Sequence, residues 1–356
     1  MTETLRTRLS RRAVLRGAVG LAGLGLLAAC GQPAGAPRPA TTPGPAPTGG
    51  EGPLTKVRMS CWSNPISEQA NVFAAQEFGW WREEGLDFEF VPGAGGGDAL
   101  KHLLAGNADI AFTNVEAMLF AMQEGAKLRA VWNIYPDNVF NVVSLVSANI
   151  QAPADLRGKP VGVYSMASGT RYNLLVILRS AGLRESDVEV VATGVLNFGP
   201  LMEGRVAATA ATDTGLWLAQ QQGLGPHRVI WARDYLRTPT DVFVVTEETY
   251  QQRRELLGRF LRAYRKGTQF MLDHPEEAAQ IAVKYATDGQ DPARNLEIIK
   301  LRNAATVDDG TRANGLGWID PEIFGKVEAT FAELGIIRGR VPEFATAFTN
   351  EFVERP

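Results

Sequence analysis

From residue 54 onward, short apolar runs of strand length alternate with stretches whose apolar residues recur every three or four positions. A short run bounded by turn residues suits a buried strand, and the longer spacing suits an amphipathic helix. Segments 57–62, 86–91, 109–113, 142–146, 160–164, 188–192, 206–211, 229–231 and 242–245 read as strands. Helical spacing appears between them at 99–104, 170–181 and 200–203. The C-terminal part is mostly helix: Leu257, Phe260, Leu261, Tyr264 and Met271 repeat at three and four, as do Ala278, Ile281, Ala282 and Tyr285. Such alternation predicts an α/β fold, whose sites lie at the carboxyl ends of strands. At roughly 150 residues per domain, the 356 residues suffice for about two domains with real cores.

A faint internal echo points the same way. Leu104-Ala105-Gly106-Asn107-Ala108-Asp109-Ile110-Ala111 precedes one strand, and Met202-Glu203-Gly204-Arg205-Val206-Ala207-Ala208-Thr209 precedes another. Each reads as a helix end, a glycine able to take positive φ, then a buried strand. Two lobes of similar build would produce it, and so would chance.

The N-terminus carries an address. Ser10-Arg11-Arg12-Ala13-Val14-Leu15-Arg16 has the twin-arginine form, and the apolar run 17–29 follows. A bilayer span needs about 20 apolar residues, so this shorter run reads as a signal peptide over 1–29. It ends in Leu27-Ala28-Ala29-Cys30, which resembles the bacterial lipobox and marks Cys30 for lipidation. Residues 31–53 follow with six Gly, seven Pro and four Ala. No core forms from that composition, so 30–53 reads as a tether holding a folded body off a membrane. The other cysteine, Cys61, alternates with Val57 and Met59 and reads as a buried structural thiol.

Charge and motifs exclude more than they assign. Residues 1–29 carry a net +4, which leaves −7 on the remainder of a chain whose formal charge is −3. An acidic body without a basic stripe argues against nucleic acid as a partner. His102, His227 and His274 show no metal-ligand spacing, and His274 sits in a helix start with acids in its first turn. Gly158-Lys159 precedes Pro160, so it is no phosphate loop, and Ser165 and Ser168 fit no nucleophile elbow. The Gly93–Gly97 cluster precedes Asp98, which would repel a pyrophosphate, so it reads as a loop lining a cleft. No metal, cofactor or catalytic residue is expected. The weight falls on binding.

Several stretches, in order, resemble the solute-binding proteins of bacterial ABC importers, in the NMT1/SsuA-like branch of nitrate, sulfonate, taurine and thiamine-pyrimidine binders. They are Gly79-Trp80-Trp81-Arg82-Glu83-Glu84-Gly85-Leu86-Asp87, the segments 98–100 and 106–112, Asp155-Leu156-Arg157-Gly158-Lys159-Pro160, Ser168-Gly169-Thr170-Arg171-Tyr172, and His274-Pro275-Glu276-Glu277. The resemblance implies a two-lobe periplasmic-binding fold of the type II kind, with lobe 1 at 54–145 and 243–356 and lobe 2 at 146–242. Segments 142–147 and 241–246 are the expected crossings, and hinge closure on ligand is the expected motion. It further implies an extracytoplasmic, lipid-anchored monomer that delivers a small organic solute to an ABC permease and its ATPase. Fungal thiamine-pyrimidine synthases share the fold and are enzymes, but they use a cysteine-rich motif this chain lacks. A ligand-sensing lipoprotein is a third possibility of another class.

Carried over residue by residue, the resemblance places Trp62, Asn64, Asn114 and Glu116 at the cleft from one lobe. Tyr164, Ser168, Gly169, Thr170, Arg171, Asn197 and Asp213 face it from the other. The helix opening at Thr170 offers free N–H groups and a positive dipole end, suited to an oxyanion that Arg171 would attract further. The aromatics Trp62, Tyr164, Tyr172 and Phe198 suit a flat nitrogen heterocycle, with Glu116 or Asp213 accepting from ring amino groups. Ala207 and Thr212-Asp213-Thr214 depart from the family pattern. The expected ligand is a heterocycle such as a thiamine-pyrimidine precursor, ahead of a sulfonate, taurine or nitrate-type anion.

Overall fold

The computed structural model describes residues 52–194 and 197–356. The expectations for the signal peptide, for Cys30 and for nearly all of the tether lie outside the described residues. The first stretch runs β1 (Thr55–Cys61), α1 (Ala70–Glu77), α2 (Trp80–Glu83), β2 (Leu86–Val91), α3 (Gly96–Leu104), β3 (Ile110–Asn114), α4 (Val115–Gln123) and β4 (Leu128–Tyr135). Next come β5 (Phe140–Leu145), β6 (Pro160–Val163), α5 (Gly169–Ser180), β7 (Glu189–Ala192), α6 (Gly199–Met202), β8 (Ala208–Thr212), α7 (Asp213–Gln221) and β9 (His227–Trp231). The chain closes with β10 (Asp241–Thr246), α8 (Glu247–Gln252), α9 (Arg254–Asp273), α10 (Pro275–Tyr285), α11 (Pro292–Thr306), α12 (Asp309–Asn314) and α13 (Pro321–Glu333).

The strands form two five-stranded sheets, ordered β2-β1-β3-β10-β4 and β7-β6-β8-β5-β9. In each, three parallel strands are followed by two strands joined antiparallel. The echo therefore occupies equivalent places. Gly106 and Gly204, at φ 73° and 72°, end α3 and the turn after α6, and the central strands β3 and β8 follow. A left-handed residue there lets the helix stop and the chain enter the sheet without a Cβ clash.

The crossings differ from expectation. Segment 142–147 begins inside β5, which pairs with β8 and β9 in the second sheet, and 241–246 is β10, which pairs with β3 and β4 in the first. The chain changes sheets at 136–139 and again at 232–240. Apolar runs marked both segments, but a strand buried on both faces carries the same mark. The two connectors are tied together: Thr240 Oγ1 donates to the Asp137 carbonyl and accepts from the Val139 N–H.

Each sheet is covered on both faces. Val57, Met59 and Cys61 point from β1 into a core closed by α1 and α9, while Leu100, Leu103, Met118 and Phe331 pack the other face. Cys61 is fully buried, and burial pushes its thiol up to about 12, which suits a structural role. The second sheet is packed by Leu174, Ile177 and Leu178 of α5 on one face and by Phe198, Leu201 and Leu216 on the other. No helix among the described residues is long and apolar enough to cross a membrane.

Candidate functional site

A cavity of about 390 Å³ opens at the seam of the two sheets. It takes groups from both, at the carboxyl ends of β1, β3, β6 and β8, as expected for an open α/β sheet. Its volume falls within the roughly 300–1,000 Å³ of small-molecule sites.

Eight of the expected residues line it: Trp62, Asn64, Asn114, Tyr164, Ser168, Gly169, Thr170 and Asn197. Trp62 follows β1 and meets Tyr164, after β6, edge to face at 6.5 Å and 88°. One aromatic from each lobe thus forms a corner. The Trp62 Nε1 is buried without an acceptor among the described residues. Ser168 and Thr170 are joined through their hydroxyls at 2.7 Å, and Thr170 Oγ1 accepts from the Tyr164 N–H at 3.0 Å. These bonds shape the turn into α5. Asn197 is held by its neighbours, accepting from Thr193 and Thr209 and donating to the Ala210 carbonyl.

Three expected residues do not line the cavity. Arg171 turns away, its guanidinium bidentate on Glu185 at 2.6 and 2.7 Å with a third bond to the Met166 carbonyl. On a helix, the residue after an inward Thr170 is rotated by about 100°, which carries it outward. Glu116 is fully buried one step into α4, where its Oε1 accepts from Asn173 of α5 at 2.9 Å. Burial pushes its carboxyl up to about 7. Asp213 caps its own Thr214 N–H and forms an ion pair with Arg302 instead of facing the cavity. Two of the expected aromatics also sit elsewhere. Tyr172 packs on Phe120, and Phe198 lies in the second lobe's core.

The charged lining was not foreseen. Glu68, Asp241, Asp288, Arg294 and Arg302 come from the 3₁₀ turn before α1, from β10, and from α11 with the loop ahead of it. Arg302 is 1% exposed and pairs with Asp213 across the seam, lies 3.6 Å from Glu68, and stacks over Tyr135. Thr214 donates to Glu68 at 2.6 Å, a second tie between the lobes. Arg294 lies 3.7 Å from Asp288, which accepts from the Ser67 N–H and hydroxyl. The Asp241 carboxyl is buried with Asn114 Nδ2 as its one hydrogen-bond partner among the described residues, and burial holds it well above the usual range. No helix-start or strand-end pattern announces such residues, because partners such as Ser67 and Asp288 lie 221 positions apart in sequence.

The glycine loop sets how closely the lobes approach. Gly97 N–H donates to the Ala167 carbonyl at 2.9 Å, and Ser165 Oγ to the Ala94 carbonyl at 2.6 Å. A Cβ at Gly95 would fall 2.7 Å from the Ala167 oxygen. Glycine is needed there for contact, not for phosphate. Among the described residues no group of three or more His, Cys, Asp or Glu could hold a metal ion.

Two α/β lobes joined by two crossings, with a lined cavity at their seam, define the two-lobe fold of the periplasmic-binding class. Residues 66–278 match the family described as NMT1/THI5 like, and the chain belongs to that family. It is 25% identical over 296 residues to the riboflavin-binding protein RibY of Chloroflexus aurantiacus, covering 81% of this chain and 83% of that one. It is 24% identical over 221 residues to the formylaminopyrimidine-binding protein of Halalkalibacterium halodurans, covering 61% and 66%. In fold it is similar to the alkanesulfonate-binding protein SsuA of Xanthomonas axonopodis pv. citri, with a TM-score of 0.65 at 16% identity, covering 83% and 98%. The family match groups the chain with NMT1/THI5-like proteins, and the likeness to SsuA shows a fold shared with a substrate-binding protein.

Proposed function

We propose that this protein captures one aromatic nitrogen heterocycle per chain between its lobes and hands it on unaltered to an ABC permease and ATPase. The observation that carries this reading is the Trp62–Tyr164 corner, one ring from each lobe, lining a cavity large enough for an organic solute. Relatives named for riboflavin and for formylaminopyrimidine support a ring ligand, a thiamine-pyrimidine precursor or a flavin-type system. The lipobox ending at Cys30 supports an extracytoplasmic body tethered by lipid. A sulfonate or nitrate-type anion is the second reading, favoured by the open N-terminus of α5 at Gly169 and Thr170.

A thermal-shift screen of pyrimidines, flavins and alkanesulfonates tests the assignment, because a ligand that binds only the folded state raises the melting temperature. Ring compounds should stabilise the chain and be recovered intact. Turnover of the best hit would contradict a binding role.

A further inference from the structure

Asn114 sits where the two lobes meet the floor of the cavity. Its Nδ2 donates to Asp241 Oδ1 from β10, while its Oδ1 is buried without a partner among the described residues. The backbone of α5 packs flat against the same amide, since a Cβ on Gly169 would fall 2.9 Å from Asn114 Cγ. Gly169 and Thr170 open that helix, and first-turn N–H groups have no acceptor inside it. No described residue accepts from either amide. Two backbone donors and one carboxyl therefore flank a single side chain, and all of them line the cavity.

The other charged groups are already committed. Arg302 is held by Asp213 and Glu68, and Arg294 by Asp288. Three carboxylates thus surround two guanidiniums even before Asp241 is counted. Asp241 has no ion-pair partner among the described residues. An oxyanion entering here would present only acceptors and would find no unpaired cation. The partial charge of about +0.5 at a helix start would attract it, as would the Nε N–H groups of Trp62, Arg294 and Arg302, unpartnered among the described residues, but each guanidinium already faces a carboxylate. A ring with an acceptor next to an N–H would instead satisfy the α5 amides and Asp241 together. Whether or not Asp241 holds a proton, it keeps an oxygen able to accept.

Building on the heterocycle reading, we propose that Asp241 sets ligand specificity. It accepts from a ring or ring-amino N–H adjoining an acceptor that the Gly169 and Thr170 amides engage. The site then selects heterocycles with a cyclic amide, imide or aminopyrimidine edge and rejects sulfonates.

Calorimetric titration of the full chain with matched probes tests this. The pairs are riboflavin against its N-methylated imide derivative, and an aminopyrimidine against its N,N-dimethyl derivative, with an alkanesulfonate alongside. In at least one pair the parent should bind roughly tenfold or more tightly than its methylated form, because a site built to pair an N–H rejects the analogue lacking it. Asp241→Ala should bring parent and derivative within about twofold of each other, since the acceptor is gone. Equal binding of parent and methylated probe to the unaltered chain, in every pair that binds, overturns the proposal. So does full discrimination retained by Asp241→Ala. Should that variant not fold, the comparison on the unaltered chain decides alone. Tight alkanesulfonate binding with no ring binding would remove the proposed function and this inference together. Ring binding without N–H discrimination would remove only the inference.

Discussion

The two lobes share a strand order but bring different chemistry to the cavity. The first supplies Trp62 and all the charged side chains described on the lining, from Glu68 to Arg302. The second supplies Tyr164, hydroxyls at Ser168, Thr170, Thr212 and Thr214, the Asn197 amide, and bare backbone at Gly169. The difference follows from what covers each sheet. After the chain returns through β10, helices α9 to α11 pack on the first lobe, and α11 carries Arg294 and Arg302 to the seam. A buried charge is tolerable only where counter-charges are held in place, and that extra helical layer holds them. The second lobe puts only neutral groups on the lining, while its Asp213 reaches across the seam to Arg302. One strand order thus yields a charged half and a neutral half of the lining.

The largest expected effect comes from breaking the charged half. Arg302→Met would leave Glu68 and Asp213 without their guanidinium, at a cost of about 3–5 kcal/mol for a broken buried pair. Urea unfolding should show it, and a variant as stable as the parent would dissolve the contrast between the lobes. Glu116→Gln tests the seam itself. Burial raises the Glu116 carboxyl from an ordinary 4.5 to about 7, so the folded chain holds a proton that the unfolded chain releases. The stability it contributes is full below about pH 4.5 and is lost as pH rises through about 7, on the order of 3 kcal/mol at 1.36 per unit. Glu68 and Asp241, also raised by burial, add slope of the same sign. The unaltered chain should therefore lose more stability across that window than Glu116→Gln does, as read by melting at stepped pH. Parallel curves would place Glu116 in contact with water.

Sequence spacing shows the outline of the fold plainly and the cavity's floor hardly at all. Nine expected strands coincide with strands of the structure to within a few residues, but β4 escaped notice. Its sequence, Leu128 to Tyr135, is buried almost throughout with an arginine and an asparagine among its apolar residues, so it shows neither alternation nor a clean apolar run. Residues at strand ends, such as Trp62 and Asn114, could be placed because strand ends face the cleft. Glu116 could not, because α4 begins immediately after β3 and one residue of helix turns a side chain from cleft to core. Arg302 and Asp241 left no local trace. The first lies in an ordinary-looking helix and the second opens a strand, and tertiary partners give each its role.

Smaller effects sharpen the same comparison. Trp62→Ala should weaken a ring ligand by about 1–3 kcal/mol, roughly 5- to 150-fold, and leave a small anion nearly unaffected. Calorimetry with both ligand types reads this directly. Arg171→Ala, on the neutral lobe's outer side, should cost less than about 1 kcal/mol in stability and change affinity less than about twofold, because its partly exposed pair with Glu185 faces away from the cavity. A large loss of affinity would return Arg171 to the site.

The most direct test is a crystal structure of the chain with the tightest ring ligand from the thermal-shift screen. The account predicts an unaltered ring against Trp62 in the seam, its acceptor at the Gly169 and Thr170 amides and its N–H at Asp241. A ligand bound outside the seam, or one seated there with its polar edge on Arg171 and away from Asp241, would contradict it.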